Sequence, residues 1–528
     1  MKECDVLLIG YEELENLGMR SIAAFLAKHG IKVKIEPYGI SLKENILASI
    51  RREEPKIVGF SLIFQRMLFE FADLIAYLRQ NGVTAHFTMG GHFPSIEYRG
   101  TLESITGLDS VVRGEGEYTL LELFQYLDQP DLWSGIEGLA YRRDGEIRVT
   151  SPRPLIQDLD SLPYPIRRNQ TATHRGLGIC SLLGSRGCYY NCSFCSIQQF
   201  YRESPGQRRR SRSPSNVVQE MEHLFYECGI RIFIFEDDDM FMKGPQQRQW
   251  IDDLVKELKR KKLGDQILWR VSCRVDDVDA ELISKMMEVG LISVYLGIES
   301  GNNQGLKTYN KHYSVDKVYE TINTLQNLNM PFEFGFMILS PESNFETVKE
   351  DIVFLKKISK SGQSVINFTK MVPYAGTPIS SKLQNEGRLK GTIDSPDYTY
   401  TDSRLELLQL FFTMAFHSRN FDSSGLVERL RLAKFDAIVL NKFFSDKYDT
   451  RAYINALRDL IRQSNDIALE KMSMAVNFMS KREEDEILDN WQFLQYLAQE
   501  ENKMESQTTA FLNRLMASYG YGMAGITA

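Results

Sequence analysis

The sequence has no run of apolar residues long enough to cross a bilayer, and its amino terminus has no charged and apolar signal region. Met1 leads straight into the strand-like Val6-Leu7-Leu8-Ile9. These absences exclude a helical membrane span and point to the cytoplasm. Positive charge is not in excess either. With 63 Lys and Arg against 70 Asp and Glu the net charge is −7, which argues against a dedicated nucleic-acid binder and leaves room only for a local basic patch. Cysteine is scarce, at seven in 528 residues, and so few in so long a chain do not make a disulfide framework. Cys4, Cys180, Cys228 and Cys273 are scattered among apolar neighbours and read as core residues. The length implies two to four domains, and the hydrophobic content of 43% is that of an ordinary globular chain.

The other three cysteines are grouped. Gly184-Ser185-Arg186-Gly187-Cys188-Tyr189-Tyr190-Asn191-Cys192-Ser193-Phe194-Cys195 spaces them C-x3-C-x2-C on a loop whose glycines permit sharp turns. No fourth Cys or His is near. Closed zinc sites and electron-transfer clusters normally take four protein ligands, so three thiolates point to a 4Fe-4S cluster with one iron open to a small molecule. Buried thiols or a redox pair are the plainer alternative. The stretch resembles the radical S-adenosylmethionine (SAM) superfamily, whose motif C-x3-C-x-aromatic-C is matched by Cys188, Cys192, Phe194 and Cys195. The resemblance implies that the three cysteines hold the cluster and that its open iron chelates SAM. It also implies that Phe194 packs on adenine and that reductive cleavage of SAM releases a 5'-deoxyadenosyl radical.

Ahead of that loop the pattern alternates between short apolar strands and amphipathic helices. Strands are expected at Cys4 to Ile9, Lys32 to Glu36, Ile57 to Leu62, Ala85 to Met89 and Ser110 to Val112. Such alternation predicts a doubly wound parallel sheet with a ligand beyond the strand carboxyl ends. Composition alone leaves a nucleotide, a flavin or a lost site open. The order Ser61-Leu62, Gly90-Gly91-His92 and Gly114-Glu115-Gly116-Glu117 is similar to the cobalamin-binding domain that precedes some radical SAM domains. This resemblance implies cobalamin contacts from Ser61, Gly90, Gly91, His92, Gly114, Glu115 and Gly116. The D-x-H-x-x-G pattern that supplies a lower histidine to cobalt is absent, which implies cobalt bound without protein His. His92 is then a loop or corrin-edge residue, with metal ligation as the alternative.

Gly135 to Thr150 reads as a β-hairpin turning at Asp144-Gly145, and Pro152, Pro154, Pro163 and Pro165 mark a linker. From Gly178 six β/α units follow, with strands at Gly178 to Leu183, Arg231 to Phe235, Ile267 to Cys273, Ser293 to Ile298, Phe332 to Leu339 and Val365 to Lys370. Six units match the partial barrel of radical SAM enzymes and fall short of a closed eight. By the same resemblance, Asp237 and Asp238 in Glu236-Asp237-Asp238-Asp239 accept the SAM ammonium, Arg274 meets its carboxylate or ribose, and Glu299 faces the site or holds its loops. An acidic loop solvated at a strand end is the plain alternative for the aspartates. Gly335 to Glu342 is similar to the adenine-binding segment, with departures at Met337 and Leu339. Arg208-Arg209-Arg210-Ser211-Arg212 reads as a solvated loop, or else as a phosphate or electron-donor patch.

Beyond Ser395 the pattern is helical: Ser403 to Asn420, Ser424 to Phe444, Arg451 to Met479 and Glu483 to Glu500, with a last turn over Leu512 to Ser518 before a Gly-rich tail. The expected organisation is an α/β protein in four parts. Residues 1–150 form a Rossmann-like doubly wound cobalamin-binding domain, 151–175 a linker, 176–395 a partial (β/α)6 radical SAM barrel and 396–528 an all-helical domain that caps the barrel or mediates dimerisation. The family resemblance implies a 4Fe-4S cluster, SAM and cobalamin as cofactors, and a reductant such as flavodoxin or ferredoxin as partner. It further implies C-methylation of an unactivated carbon in a small-molecule or peptide substrate. Rearrangement, oxidation or cyclisation, a radical SAM enzyme without cobalamin, and a plain iron-sulfur carrier are the alternatives.

Overall fold

The computed structural model describes residues 4–12, 15–39, 42–167, 172–241 and 244–522; the end of the Gly-rich tail lies outside them. The first sheet contains β1 (Val6–Gly10), β2 (Val33–Pro37), β3 (Ile57–Ser61), β4 (His86–Gly90), β5 (Ser110–Val112), β6 (Leu139–Arg143) and β7 (Glu146–Val149), in the order β2-β1-β3-β4-β5-β6-β7. The first five strands are parallel. β1 is buried throughout because helices cover both faces. Leu7 and Ile9 join Phe60, Phe71 and Phe87 on one side, while Val6 and Leu8 join Phe25 and Leu123 on the other. The β6–β7 hairpin adds two antiparallel strands. Its register pairs Arg143 with Glu146, leaving Asp144 and Gly145 in the turn at φ +54° and +82°, as a type I′ connection requires.

The second sheet is built from β8 (Ala172–His174), β9 (Leu177–Leu182), β12 (Ile230–Phe235), β13 (Leu268–Arg274), β14 (Leu291–Glu299), β15 (Phe332–Leu339) and β16 (Thr369–Lys370). A two-stranded ribbon, β10 (Ser185–Arg186) with β11 (Arg210–Ser211), sits above it. Strands run in the order β16-β15-β14-β13-β12-β9-β8, so the sheet curls as a half-barrel and does not close. Two details depart from the sequence expectation. β8 is an antiparallel edge strand inside the stretch assigned to the linker, and β16 is only two residues long. The second has a physical cause. Where Val365 to Phe368 were expected to pair in the sheet, Asn465 takes over: its Oδ1 accepts from the Ile366 amide (3.1 Å) and its Nδ2 donates to the Ser364 carbonyl (2.9 Å).

Five helices follow, Arg404–Phe421, Leu426–Phe443, Thr450–Met479, Glu484–Asp489 and Trp491–Ser518. The last runs unbroken through the polar stretch after Glu500, because Glu501 and Glu505 continue its buried stripe between Ala498 and Leu512 and lie near the buried Arg419. These helices span the gap in the half-barrel. Asn465 and Asn420, whose Nδ2 donates to Phe368 O (3.0 Å), hold the β16 side. On the β8 side Asp436 accepts from His174 (2.8 Å) and from Arg175 (2.5 and 2.8 Å). Between them Val439, Phe435 and Ile438 pack on Ile179, Ile232, Leu268 and Ile292, which lie near the starts of four adjacent strands. A helical layer thus covers both otherwise unpaired edges. The aromatic residues of this region serve the same packing: Tyr398 and Phe411 are fully buried.

Candidate active site

β9 delivers the cysteine loop at its carboxyl end. Gly187 has φ +82°, and a Cβ there would stand 2.1 Å from the Arg208 carbonyl oxygen, so only glycine fits this turn. The aspartates that follow β12 hold the loop. Asp237 accepts from the Gly184 amide (3.0 Å) and from the Ser185 hydroxyl, and Asp238 accepts from the Gly187 amide (3.0 Å). On the far side Ser193 donates through its amide to Tyr309 O (3.1 Å) and through its hydroxyl to Thr308 O (2.6 Å). Gln198 reaches back to Cys188 O (2.6 Å).

Cys188, Cys192 and Cys195 are all partly accessible. Burial pushes the Cys188 and Cys195 thiols up to about 12; a bound iron cluster reverses that preference by stabilising thiolate. Among the described residues no group of three or more His, Cys, Asp and Glu side chains stands ready-made to hold a metal ion. The fit of a cluster therefore rests on donor chemistry: three accessible thiols on one loop, anchored through backbone atoms, with Arg274 Nη1 donating to Cys192 Sγ at 3.3 Å.

Arg274 is itself fixed by Asp276 (3.0 Å) and by Lys311 O (2.5 Å), and stacks 3.7 Å from the Tyr190 ring. Glu299 sits at φ +70° and pairs with the buried Lys311 at 3.3 Å. A Cβ at Gly297 or Gly335 would come within 2.9 and 3.2 Å of the Glu299 carboxylate oxygens, so these two glycines make room for it. Lys311 Nζ lies 5.7 Å from the Phe194 ring centre, and Phe194 meets Tyr309 edge-on at 5.4 Å. Phe194, Arg274 and Glu299 are thus brought together by Lys311, which carried no signal in the sequence. Glu342 turns away from this cluster to pair with Lys382 and Arg388 (2.9 and 3.2 Å).

A cavity of about 550 Å³ lies beside the loop, between the carboxyl ends of β1, β3, β4 and β5 and the second sheet. Ser61, Gly90, Gly91, His92, Gly114, Glu115 and Gly116 all line it, and Asp238, Ser185 and Arg186 face it from the other side. Asp237 is not among its walls. Asp238 is exposed along this cavity, while desolvation by the surrounding protein moves its carboxyl up to about 6. The glycines keep the cavity open, as a large flat cofactor requires. Gly91 has φ +118°, and a Cβ there would lie 2.2 Å from Leu62 O; one at Gly116 would lie 2.9 Å from Ile22. His92 is half-buried, pushed down to about 4 by desolvation and so neutral at pH 7, with its ring edge-on to Phe200 at 4.5 Å. The Gly91→Ala variant, strained by its φ and by that contact at a cost of about 1–3 kcal/mol, is expected to purify with a full complement of iron but several-fold less corrin. Unchanged corrin-to-iron stoichiometry would count against this placement.

Glu115, besides lining the cavity, ties the two sheets together. Its Oε1 accepts from Arg186 (2.9 Å) and its Oε2 from Arg210 (2.8 Å) and from the Ile156 amide (2.8 Å). Burial would raise its pKa, but the two guanidiniums outweigh it and hold the carboxyl below the usual range. Glu117 takes the other arm of Arg186 at 2.7 Å. The arginine run is correspondingly not a solvated loop. Arg209, Arg210 and Arg212 are buried, with Arg209 on Asp239 O (3.2 Å) and Arg212 on Glu220 (2.6 Å).

The B12 binding domain family matches residues 6–124, and the Radical SAM superfamily matches residues 182–355. An uncharacterised methyltransferase of Pyrococcus horikoshii is 28% identical over 456 residues, 84% of this chain and 93% of that protein. The anaerobic magnesium-protoporphyrin IX monomethyl ester cyclase of Cereibacter sphaeroides is 26% identical over 353 residues, 65% of this chain and 55% of the cyclase. Among solved structures, the cobalamin-dependent SAM radical enzyme OxsB, with aqua-cobalamin and SAM bound, superposes with a TM-score of 0.70. It is 17% identical, and the match covers 98% of this chain and 80% of that one, a likeness of fold. Fold and site together define a radical enzyme in which a doubly wound sheet and a half-barrel face one cavity. The chain belongs to the cobalamin-dependent radical SAM enzymes, and its cofactors are a 4Fe-4S cluster, SAM and cobalamin. No helix among the described residues is long and apolar enough to cross a membrane.

Proposed function

We propose that the protein is a C-methyltransferase that modifies an unactivated carbon of a biosynthetic intermediate, with residues 1–150 as the corrin-binding unit, 151–175 as linker, 176–395 as the radical-generating half-barrel and 396–528 as its helical cap. The observation that carries this reading is the single cavity walled on one side by the glycine loops of the first sheet and on the other by Ser185, Arg186 and Asp238 beside the cysteine loop. The methyltransferase relative, which aligns over 93% of its length, supports it. When bound, the cofactors supply a 5'-deoxyadenosyl radical and a transferable methyl group.

The chain's own residues hold and orient. Cys188, Cys192 and Cys195 carry the cluster, and Arg274 fixes the Cys192 sulfur. Asp238 accepts the SAM ammonium while Asp237 braces the loop beneath it. Phe194 packs on the adenine, with the Glu299–Lys311 pair setting the floor beside it. Ser61, Gly90, Gly91, His92, Gly114 and Gly116 line the corrin face, and Glu115 ties that face to the cluster loop. An external reductant such as flavodoxin or ferredoxin delivers the electron.

The test is turnover of a candidate substrate with SAM carrying a deuterated methyl group. S-adenosylhomocysteine and 5'-deoxyadenosine in equal amounts, with the label in the product, are expected. Formation of 5'-deoxyadenosine with an unlabelled product and no S-adenosylhomocysteine would overturn methylation. That outcome would favour ring formation or oxidation, the reading that the cyclase relative supports.

A further inference from the structure

Next to the corrin cavity lies a second, of about 390 Å³, sharing only Gly114 and Phe200 with the first. Its walls come from the turn after β4, the turn after β5, the linker, and helix Ile197–Arg202, which begins two residues after Cys195. The Ser95 hydroxyl, donating to Gly91 O (2.6 Å) and accepting from the Gly114 amide (3.0 Å), stands between the two spaces. The second cavity is built differently from the first. Three guanidiniums from three separate elements converge on it: Arg113, Arg153 and Arg202.

Each is held differently. Arg113 is buried, with 8% of its side chain exposed, and its guanidinium lies 4.5 Å over the Tyr98 ring. Arg153 is pinned by the Thr119 hydroxyl (2.8 Å) and by Glu122. Arg202 is exposed, with no partner among the described residues. The carboxylate that neutralises Arg113 inside the cavity is Glu203, whose side chain is 64% exposed, so it pays little to swing away. Glu97, the other acid in the wall, is raised above the usual carboxylate range by burial. A desolvated arginine neutralised by an exposed surface carboxylate, with a second arginine unengaged, is a site poised to exchange that carboxylate for a ligand's oxyanion.

We propose that this second cavity binds an oxyanion group of the substrate, a phosphate, phosphonate or carboxylate, and so sets which carbon reaches the neighbouring cavity. The assignment rests on the reading of the protein as an enzyme acting on a bound carbon substrate. The same chemistry has a second source, the phosphodiester of the cobalamin tail, and the experiment separates the two. Inorganic pyrophosphate is titrated calorimetrically into the anaerobically purified, cluster- and corrin-loaded enzyme and its Glu203→Gln and Arg202→Gln variants, with corrin retention measured on each sample.

Wild type is expected to bind pyrophosphate in a salt-sensitive manner. E203Q, lacking the competing charge, is expected to bind it about fivefold more tightly, and R202Q about fivefold more weakly, with corrin retention the same in all three. No saturable binding, or no tightening in E203Q, overturns the proposal. A change in corrin retention in step with pyrophosphate affinity also overturns it, in favour of the cofactor's own phosphate. Pyrophosphate binding that follows this pattern in an enzyme that transfers no methyl group leaves the site standing and counts against methylation alone.

Discussion

Arg186→Met is expected to uncouple the two halves of the enzyme, raising the amount of 5'-deoxyadenosine formed per product while cluster content stays high. Arg186 stands two residues before Cys188, and its two arms reach Glu115 and Glu117 at 2.9 and 2.7 Å, at the start of the helix Gly116–Gln125 that borders the corrin cavity. Arg210 closes the square by donating to Glu115 at 2.8 Å and by pairing with Arg186 across β10 and β11. The carboxylates are 6% and 3% exposed. Removing one member of such a group leaves a buried charge without its partner, a loss of about 3–5 kcal/mol. Glu115 keeps Arg210 in the variant and Glu117 loses its guanidinium, so the start of this helix shifts and the whole chain need not unfold. A shift of about 1 Å between reacting groups costs about a hundredfold in rate. Arg186→Lys retains a point charge without the fork and should fall between wild type and R186M. A melting temperature lowered equally in both variants with an unchanged ratio of 5'-deoxyadenosine to product would reduce the clasp to a structural role.

That clasp also shows where sequence legibility stops. The strands were readable because each is a short apolar run bounded by turns: Val6 to Ile9, Ile57 to Phe60 and Phe332 to Leu339 feed layers covered on both faces. The Asp144-Gly145 turn was readable because two successive positive φ angles favour that pair. The cysteine loop was readable because one cluster must be held from one stretch of chain. Pairings between distant segments had no such local trace. The Arg208 to Arg212 run has the composition of a solvated loop, and distant partners, the Glu115 carboxylate 95 residues earlier and the Ile156 carbonyl, make Arg210 a buried residue. Lys311 likewise draws its meaning from Glu299 and Phe194. The expected strand over Val365 to Lys370 shrank to two residues because the side chain of Asn465, about 100 residues away, satisfied the backbone that would otherwise have paired. Local periodicity reports burial, but it does not report which partner provides it.

Replacing Cys188, Cys192 and Cys195 together by Ala is expected to abolish iron binding and SAM cleavage while corrin binding survives. The loop does not depend on its sulfur atoms for shape. Its anchors are the amides of Gly184, Gly187 and Ser193, the carbonyl of Cys188, and the carboxylates of Asp237 and Asp238. None of these is lost when a thiol becomes a methyl group, and the burial that raises the Cys188 and Cys195 thiols means that neither contributes a charge to the metal-free chain at neutral pH. The side-chain contacts removed are Arg274 to Cys192 and those of the Cys188 and Cys195 sulfurs with the Tyr190 and Ile197 amides, and Arg274 retains Asp276, Lys311 O and the Tyr190 ring. The corrin cavity takes none of the three cysteines into its wall. Iron and sulfide near zero, no 5'-deoxyadenosine above background and corrin at the wild-type level would therefore assign the radical chemistry to the loop and cobalamin binding to the first sheet as separable properties. Loss of corrin together with iron would mean that the cluster, acting through the Gly187–Asp238 contact, is needed to form the cavity, and that the cofactors load in order, with iron first.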